Sequence, residues 1–217
     1  MNTPQQHIDL YKQKTGSEHI ASVLALEVID DLIDKDDFNL IFCDGSGAYI
    51  PVVLEFGAGI GTITTFLLDR GVFVMAYEDD KFCLKELQKI DNKMLYIAKD
   101  TTFIPDHHFN LIICDGSGAY MPKKIVESCT FDYVLFEGHR FLWKWNFLFA
   151  ISGGTYKEYS NGKDKPCYLL TIGKGSRIKI FFQLFTEQQR KHGFKKTLRF
   201  CIRALLGKIK EKDEAVS

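Results

Sequence analysis

The stretch VVLEFGAGIGTITTFLL, residues 52–68, joins two apolar runs through three closely spaced glycines. The first run predicts a buried β-strand and the second an α-helix, with Gly57, Gly59 and Gly61 in the tight turn between them. Because glycine has no side chain, a ligand can approach the backbone amides at the start of the helix. The G-x-G-x-G spacing, preceded by Glu55, differs from the G-x-G-x-x-G fingerprint of NAD- and FAD-binding proteins. The turn therefore suits a ligand with no pyrophosphate to hold.

Strand-like and helix-like runs alternate from this turn towards the C-terminus. They are FVMAY (73–77), KFCLKELQKI (81–90), MLYIA (94–98), FNLIICD (109–115), KKIVESC (123–129) and FDYVLFE (131–137). Such alternation predicts an α/β fold with a doubly wound, mostly parallel sheet and helices on both faces. The run RFLWKWNFLFAI (140–151) fits a helix or a buried strand, and we favour a helix. Residues 153–160 and 167–173 look like a terminal pair of strands.

The region before the glycine turn contains a helical pattern and a repeat. Apolar residues at helical spacing between residues 17 and 35, behind a cap at Ser17, predict an N-terminal helix. Residues 38–51 (FNLIFCDGSGAYIP) then nearly repeat residues 109–122 (FNLIICDGSGAYMP), with 12 of 14 positions identical. We interpret the repeat as a duplicated strand-turn unit. Its first copy is expected to be a peripheral strand or loop, so that Asp44 is not a site residue.

Acidic residues stand directly after two of the predicted strands. Glu78 comes 17 residues after Gly61, where a carboxylate can accept hydrogen bonds from both hydroxyls of a ribose. Asp100 follows the third strand, where a carboxylate can accept a hydrogen bond from the exocyclic amine of an adenine. Together with the glycine turn, these acids indicate a ligand that contains a nucleoside.

Four motifs in this order resemble those of the class I S-adenosylmethionine-dependent methyltransferases. They are LEFGAGIG (54–61), AYEDD (76–80), AKDTTF (98–103) and NLIICDGSG (110–118), and the resemblance extends over residues 52–140. It implies a seven-stranded, Rossmann-like methyltransferase fold with S-adenosylmethionine as the cofactor. It further implies that Glu78 binds the ribose, that Asp100 and Thr101 bind the adenine, and that Asp115 lies at the reacting end. The residues implied around the methionine part are Glu55, Gly57, Ala58, Gly59 and Gly61.

The ends of the fourth and fifth strands carry the candidate catalytic groups. Methyl transfer is an in-line displacement, so the protein mainly has to align a nucleophile and remove its proton. Asp115 ends the fourth strand, and Glu137 and His139 end the fifth, where open α/β sheets present groups to ligands. Glu137 or His139 could serve as the general base, and Arg140 could hold an anionic substrate. Residues 15–19 could line the same pocket, or only cap a helix.

Two other interpretations of these groups stay open. Asp115 and Glu137 could bind a divalent metal, as carboxylates do in the catechol-type O-methyltransferases, although we expect no metal here. Alternatively, Asp115 only caps a turn, and His139 and Arg140 only cap a helix or pair with Asp132.

Composition limits the class of protein. Lys plus Arg and Asp plus Glu each number 28, so the net charge gives no sign of a nucleic-acid partner. The six cysteines are widely spaced in apolar runs, which is typical of reduced core thiols. We find no leader-like start and no apolar run of membrane-spanning length, and we therefore expect a cytoplasmic protein. We divide a single domain, residues 1–217, into an N-terminal part (1–50), a core sheet (51–183) and a basic C-terminal helical tail (184–217).

The tail is basic and amphipathic. Residues 190–212 hold nine basic residues against one acid, Glu211, and apolar residues recur there at helical spacing. Residues 194–212 either pack on the sheet with a solvated basic face, which we favour, or associate weakly with an anionic membrane surface.

The sequence as a whole predicts an S-adenosylmethionine-dependent methyltransferase that acts on a small-molecule or glycan-like acceptor. Two alternatives remain. One is a catalytically degenerate binding or regulatory module with the same fold, because fold does not determine activity. The other is a nucleoside- or NAD-binding oxidoreductase, which the glycine spacing disfavours.

Overall fold

The computed structural model describes residues 1–34, 42–43, 49–98, 105–115, 125, 127–138 and 140–205. The strands are β1 (Phe42–Cys43), β2 (Tyr49–Ile50), β3 (Val52–Phe56), β4 (Phe73–Tyr77), β5 (Leu95–Ile97), β6 (His108–Cys114), β7 (Thr130–Glu137), β8 (Gly154–Tyr159) and β9 (Cys167–Ile172). The helices are α1 (Pro4–Lys12), α2 (Val23–Asp34), α3 (Thr62–Leu68), α4 (Lys81–Leu87), α5 (Phe141–Ala150), α6 (Arg177–His192) and α7 (Phe194–Leu205), with a short 3-10 helix at Ser17–His19.

Strands β3 to β9 form one seven-stranded sheet in the order β5-β4-β3-β6-β7-β9-β8. The first five strands in this order are parallel to their neighbours. Strand β9 runs antiparallel to β7, and β8 runs antiparallel to β9. The predicted doubly wound, mostly parallel sheet and its terminal pair of strands are thus confirmed. Because five neighbouring strands are parallel, their carboxyl ends meet at one edge of the sheet, which we call the carboxyl edge.

Helices cover both faces of the sheet. On one face, Leu54 and Phe56 of β3 belong to a buried cluster that includes Trp143 of α5. On the other face, Val53 belongs to a second cluster that includes Phe66 of α3 and side chains of α2. All five residues of β3 are buried, as expected for the central strand of a parallel sheet that is covered on both faces. No helix in the described part of the chain is both long and apolar enough to cross a membrane.

The N-terminal region differs from the sequence prediction. The predicted helix does not begin at Ser17, because a 3-10 turn at residues 17–19 is followed by an extended residue, Ile20. The helix begins instead at Val23, where Ser22 Oγ accepts a hydrogen bond from the Ala25 amide at 3.2 Å and acts as the cap. An additional helix, α1, precedes this region. Its cap is Thr3, in a reciprocal capping box with Gln6.

The duplicated segment pairs differently from its second copy. In the first copy, β1 and β2 pair only with each other, as an antiparallel ribbon separate from the large sheet. In the second copy, the counterparts of β1, Ile113 and Cys114, belong to β6, which lies between β3 and β7, while the counterparts of β2, residues 120–121, lie outside the described residues. Residues 44–48, including Asp44, lie outside the described residues. Nearly identical sequences therefore occupy different places in the sheet system.

Helix α5 confirms the helix favoured for residues 140–151. A buried ion pair links this helix to α6. Lys144 Nζ donates to Glu187 Oε1 at 2.8 Å and lies 2.9 Å from the centre of the Tyr168 ring. The Tyr156 hydroxyl donates to Glu187 Oε2 at 2.7 Å. Burial lowers the pKa of Lys144 to about 7, while the Glu187 charge opposes this shift. The pair joins both helices to the β8–β9 end of the sheet.

Glu187→Gln removes the negative charge that faces Lys144 inside this cluster. We expect it to lower the free energy of unfolding by about 3 kcal/mol, because one partner of a buried ion pair is lost. Urea denaturation measures this change. The matched control is Glu158→Gln, which alters the exposed pair between Glu158 and Arg190 and should cost less than about 1 kcal/mol. Equal effects of the two substitutions would contradict a special contribution from the buried pair.

Candidate functional site

The glycine turn begins where β3 ends at the carboxyl edge. Gly57, Gly59 and Gly61 have φ angles of 76°, 57° and 88°, in the left-handed region that favours glycine. The amides of Gly57 and Ala58 both donate to the Tyr77 carbonyl, at 2.9 and 3.2 Å. These bonds hold the turn against the end of β4. Gly61 then caps helix α3, whose first residue is Thr62.

Glu78 lies beside this turn, at the tip of β4. Its Oε2 accepts a hydrogen bond from the Gly59 amide at 2.6 Å. Its Oε1 accepts from the amides of Asp79 and Asp80, at 2.9 and 2.8 Å. Three backbone amides therefore hold the carboxylate at the position from which we predicted ribose binding. A carboxylate has about four acceptor positions, so capacity remains for a ligand hydroxyl.

Glu55 is a buried carboxyl within β3, two residues before the turn. The Thr64 hydroxyl of α3 donates to its Oε2 at 2.7 Å. Burial, together with the charges of Asp115, Glu78 and Glu137, raises the pKa of Glu55 to about 8. Four carboxyl groups are therefore close enough at the carboxyl edge to influence one another.

Asp115 follows β6 and sits next to the start of the glycine turn. Its amide donates to the Phe56 carbonyl at 3.0 Å. Arg140 Nη2 donates to Asp115 Oδ1 at 2.7 Å and also to the Asp115 carbonyl. Arg140 Nε is buried and meets no acceptor within the described ranges of the chain.

Glu137 ends β7, and its side chain is fully buried. Its Oε1 accepts a hydrogen bond from the Ser22 amide, whereas its Oε2 meets no donor among the residues that the structure describes. Burial is the largest cause that raises the pKa of Glu137, to about 8. The charge of Asp115 and the hydrogen-bonding proximity of its carboxyl act in the same direction. The group is thus a buried acid with one oxygen directed at no protein donor.

Residues 7–22, which we call the N-terminal strap, cross the carboxyl edge. His7 Nε2 lies 2.9 Å from the Thr62 carbonyl, and the Tyr11 hydroxyl donates to the Gly61 carbonyl at 3.1 Å. Gly16 packs against Ile60 and Phe82, since a Cβ built on Gly16 would lie 3.2 Å from Ile60 Cγ2 and 2.4 Å from Phe82 Cε1. The strap then reaches the far side of the edge, where the Ser22 amide bonds Glu137. It runs from the glycine turn to the end of β7.

The fold is similar to solved structures over most of the chain. A Thermoplasma acidophilum protein, 1320, has a TM-score of 0.53 at 11% identity, with 81% of this chain and 99% of that chain covered. Two further structures are less similar. They are a putative RNA methyltransferase from Pyrococcus horikoshii (TM-score 0.47, 16% identity, 81% and 100% covered) and the human methyltransferase 10 domain containing protein (TM-score 0.47, 11% identity, 78% and 94% covered). No protein-family model matches the chain, and no curated protein matches it significantly in sequence.

The strand order decides the fold type. Seven strands with β9 reversed between β7 and β8 form the sheet that the sequence resemblance implied. The chain has the class I methyltransferase fold. At such low identity the similarity to solved structures shows the fold alone, and the reaction has to be inferred from the site.

The methyltransferase fold brings most of the predicted site residues to the carboxyl edge. They are Glu55, Gly57, Ala58, Gly59, Gly61, Glu78, Asp115 and Glu137. Asp100, Thr101 and His139 lie outside the described residues. Within the described part, no three His, Cys, Asp or Glu side chains are placed to hold a metal ion. The strap contacts of His7, Tyr11 and Ser22 were not predicted, because they join parts of the chain that are far apart in sequence.

The raised pKa of Glu55 predicts a pH dependence of stability. Between its ordinary pKa of 4.5 and its folded value of about 8, the folded chain keeps a proton that the unfolded chain loses, so stability falls as pH rises. Glu55→Gln retains an acceptor for Thr64 but cannot ionise. Its loss of stability between about pH 5 and pH 8 should be smaller than that of the wild type by about 3 kcal/mol.

Urea denaturation at several pH values measures this difference. Glu27→Gln, at an exposed glutamate on α2, is the control and should retain the wild-type slope. The same slope in Glu55→Gln and in the wild type would contradict the buried, protonated state of Glu55.

Proposed function

We propose that the protein is an S-adenosylmethionine-dependent methyltransferase that acts on a small-molecule or glycan-like acceptor. The observation that carries the proposal is the convergence of Glu55, Glu78, Asp115 and Glu137 beside the glycine turn. Opposite charge stabilises ionised carboxyls, so a site of this kind favours a cationic ligand such as a sulfonium. The pyrophosphate of NAD, an anion, would gain no such stabilisation from these carboxyls, which speaks against the oxidoreductase alternative.

The residues at the carboxyl edge fit the cofactor. At Gly57, Gly59 and Gly61 no side chain would separate a ligand from the backbone amides that precede α3. Glu78 would accept a hydrogen bond from a ribose hydroxyl at its remaining acceptor position, and Asp100 and Thr101 would bind the adenine. When bound, S-adenosylmethionine supplies a methyl group on a positively charged sulfur, which makes its carbon electrophilic.

Glu137 is the candidate base that removes the proton of the acceptor. Its Oε2 is buried and meets no donor in the described part, so it can take a proton from an acceptor hydroxyl or amine. A protonated acid cannot do this, but a nearby positive charge favours the ionised form. Binding of a cation would therefore activate Glu137. His139 stays a second candidate base from the sequence.

Asp115 and Arg140 would position the acceptor. Arg140 is held by Asp115, and its buried Nε can donate to an anionic or hydroxyl group. The N-terminal strap covers the edge from the glycine turn to Glu137, which favours a small acceptor or a short glycan over a large folded substrate.

Calorimetric titration with S-adenosylmethionine tests cofactor binding. We expect the wild type to bind, and Glu78→Ala to bind about ten- to a hundredfold more weakly for each charge-assisted hydrogen bond lost. The matched control is Asp79→Ala, at the neighbouring exposed acid, which should retain wild-type affinity. Unchanged affinity in a folded Glu78→Ala variant would remove the ribose assignment. No binding to the wild type, with NADH binding instead, would overturn the proposed function.

Infrared spectroscopy tests the state of Glu137 without knowledge of the acceptor. Because its pKa is raised to about 8, Glu137 should give a protonated carboxyl band near neutral pH that disappears as pH rises above this value. Glu137→Gln should lack this part of the titrating signal, whereas Glu27→Gln should retain it. A titrating band that is identical in the wild type and Glu137→Gln would contradict the assignment of Glu137 as a buried acid.

A further inference from the structure

Helices α6 and α7 expose large apolar side chains on the side that does not pack on the sheet. Ile178 and Phe182 of α6 are 69% and 61% exposed. Phe194, Leu198 and Ile202 of α7 are 55%, 42% and 48% exposed. Single exposed apolar residues are ordinary, but five on two adjacent helices form a surface that requires an explanation. We call these five residues the apolar band.

The apolar band is continuous from one helix to the other. The ring centres of Phe182 and Phe181 are 5.7 Å apart, and those of Phe181 and Phe185 are 6.3 Å apart. Phe185 in turn lies 6.1 Å from Phe194, at the start of α7. An aromatic line thus joins the exposed side of α6 to the exposed side of α7.

Packing on the sheet accounts for a different side of α7. Thr197 and Cys201 are buried, and Cys201 belongs to the core cluster on this face of the sheet. Phe194, Leu198 and Ile202 are spaced four residues apart, so they share another stripe of the helix. The interpretation favoured from sequence, a helix that packs its apolar stripe on the sheet, therefore explains only part of the apolar surface of α7.

Positive charge borders the apolar band. Lys195, Lys196 and Arg199 of α7 are exposed. From Gln188 to Lys210 the sequence contains no Asp or Glu. A helix with an exposed apolar stripe beside a basic face is typical of segments that lie in the interface of an anionic membrane. RNA phosphates would also attract these cations, but they would leave Phe194, Leu198 and Ile202 without an apolar environment.

We propose that the apolar band and its basic border form a docking surface for an anionic lipid membrane. The apolar side chains enter the headgroup region, while Lys195, Lys196 and Arg199 contact lipid phosphates or carboxylates. Attachment is weak and reversible, because it uses one short amphipathic helix with part of a second. The surface is separate from the carboxyl edge and does not depend on the proposed methyl transfer. Of residues 194–212, for which the sequence raised this alternative, only those up to Leu205 are described.

Co-sedimentation of the full chain with vesicles tests the proposal. The protein should pellet with phosphatidylcholine vesicles that contain about 30% phosphatidylserine, and not with pure phosphatidylcholine, and added salt should weaken the binding. Replacement of Lys195, Lys196 and Arg199 by Gln should weaken binding by roughly a hundredfold. Leu198→Gln combined with Ile202→Gln should weaken it by roughly tenfold or more.

Matched controls distinguish binding through this surface from nonspecific binding to vesicles. Replacement of three exposed lysines outside this surface by Gln should leave vesicle binding unchanged; they are Lys85, Lys93 and Lys163. Leu10→Gln, at an exposed leucine of α1, should do the same. Circular dichroism establishes that each variant is folded. Binding that survives the Leu198 and Ile202 substitutions would overturn apolar insertion, and binding of single-stranded RNA without binding of anionic vesicles would overturn the lipid partner.

A tryptophan reporter tests insertion directly. The chain has two tryptophans, Trp143 and Trp145, and both are buried. In Phe194→Trp, the added emission should shift to shorter wavelength with anionic vesicles and be quenched by lipids with brominated chains. Emission that does not respond to bound vesicles would contradict the proposal.

Discussion

The turn from β3 to α3 is the feature on which the rest of the site depends. It needs three left-handed residues within five positions, and only glycine adopts that conformation without strain. At Gly61 the space is also limited, since an added Cβ would lie 2.6 Å from Ile90 Cδ1. With the turn in place, the Gly59 amide points at Glu78, and the N-terminal strap bonds to the start of α3 through His7 and Tyr11. The parallel strands then bring Asp115 and Glu137 to the same edge.

The site brings several carboxyl groups together in a buried part of the carboxyl edge. Glu55 and Glu137 are buried, and burial together with the neighbouring carboxyls keeps both protonated near neutral pH. Such a site is poorly matched to an anion and well matched to a small cation, whose charge would favour ionisation of these acids. In the function proposed, the same electrostatic effect would connect cofactor binding with the formation of a base at Glu137. The strap bonds Glu137 Oε1 through the Ser22 amide, while Oε2 meets no donor in the described part of the chain.

The sheet and the local part of the site were predictable because both depend on local patterns. Alternating runs of residues predicted the strands of the sheet, and the glycine spacing located the turn. Glu78, Asp115 and Glu137 were predicted from their positions at strand ends, and Glu55 from the resemblance of the glycine motif to that of the methyltransferases. Contacts over long sequence separations were not predictable, and the Ser22–Glu137 bond joins residues 115 positions apart. Ser17 was predicted as the helix cap because its side chain has suitable cap chemistry, and only the folded strap shows that the helix begins after Ser22 instead.

Proton exchange upon binding tests the central claim most directly. The account holds that a sulfonium cation enters a cluster of protonated, buried carboxyls and shifts them towards ionisation. Calorimetry at neutral pH in buffers of different ionisation enthalpy should therefore detect proton release when S-adenosylmethionine binds. The release should be smaller with S-adenosylhomocysteine, which lacks the sulfonium charge, and smaller in Glu55→Gln and Glu137→Gln. Binding of S-adenosylmethionine with no proton release, or equal release with both compounds, would contradict the account.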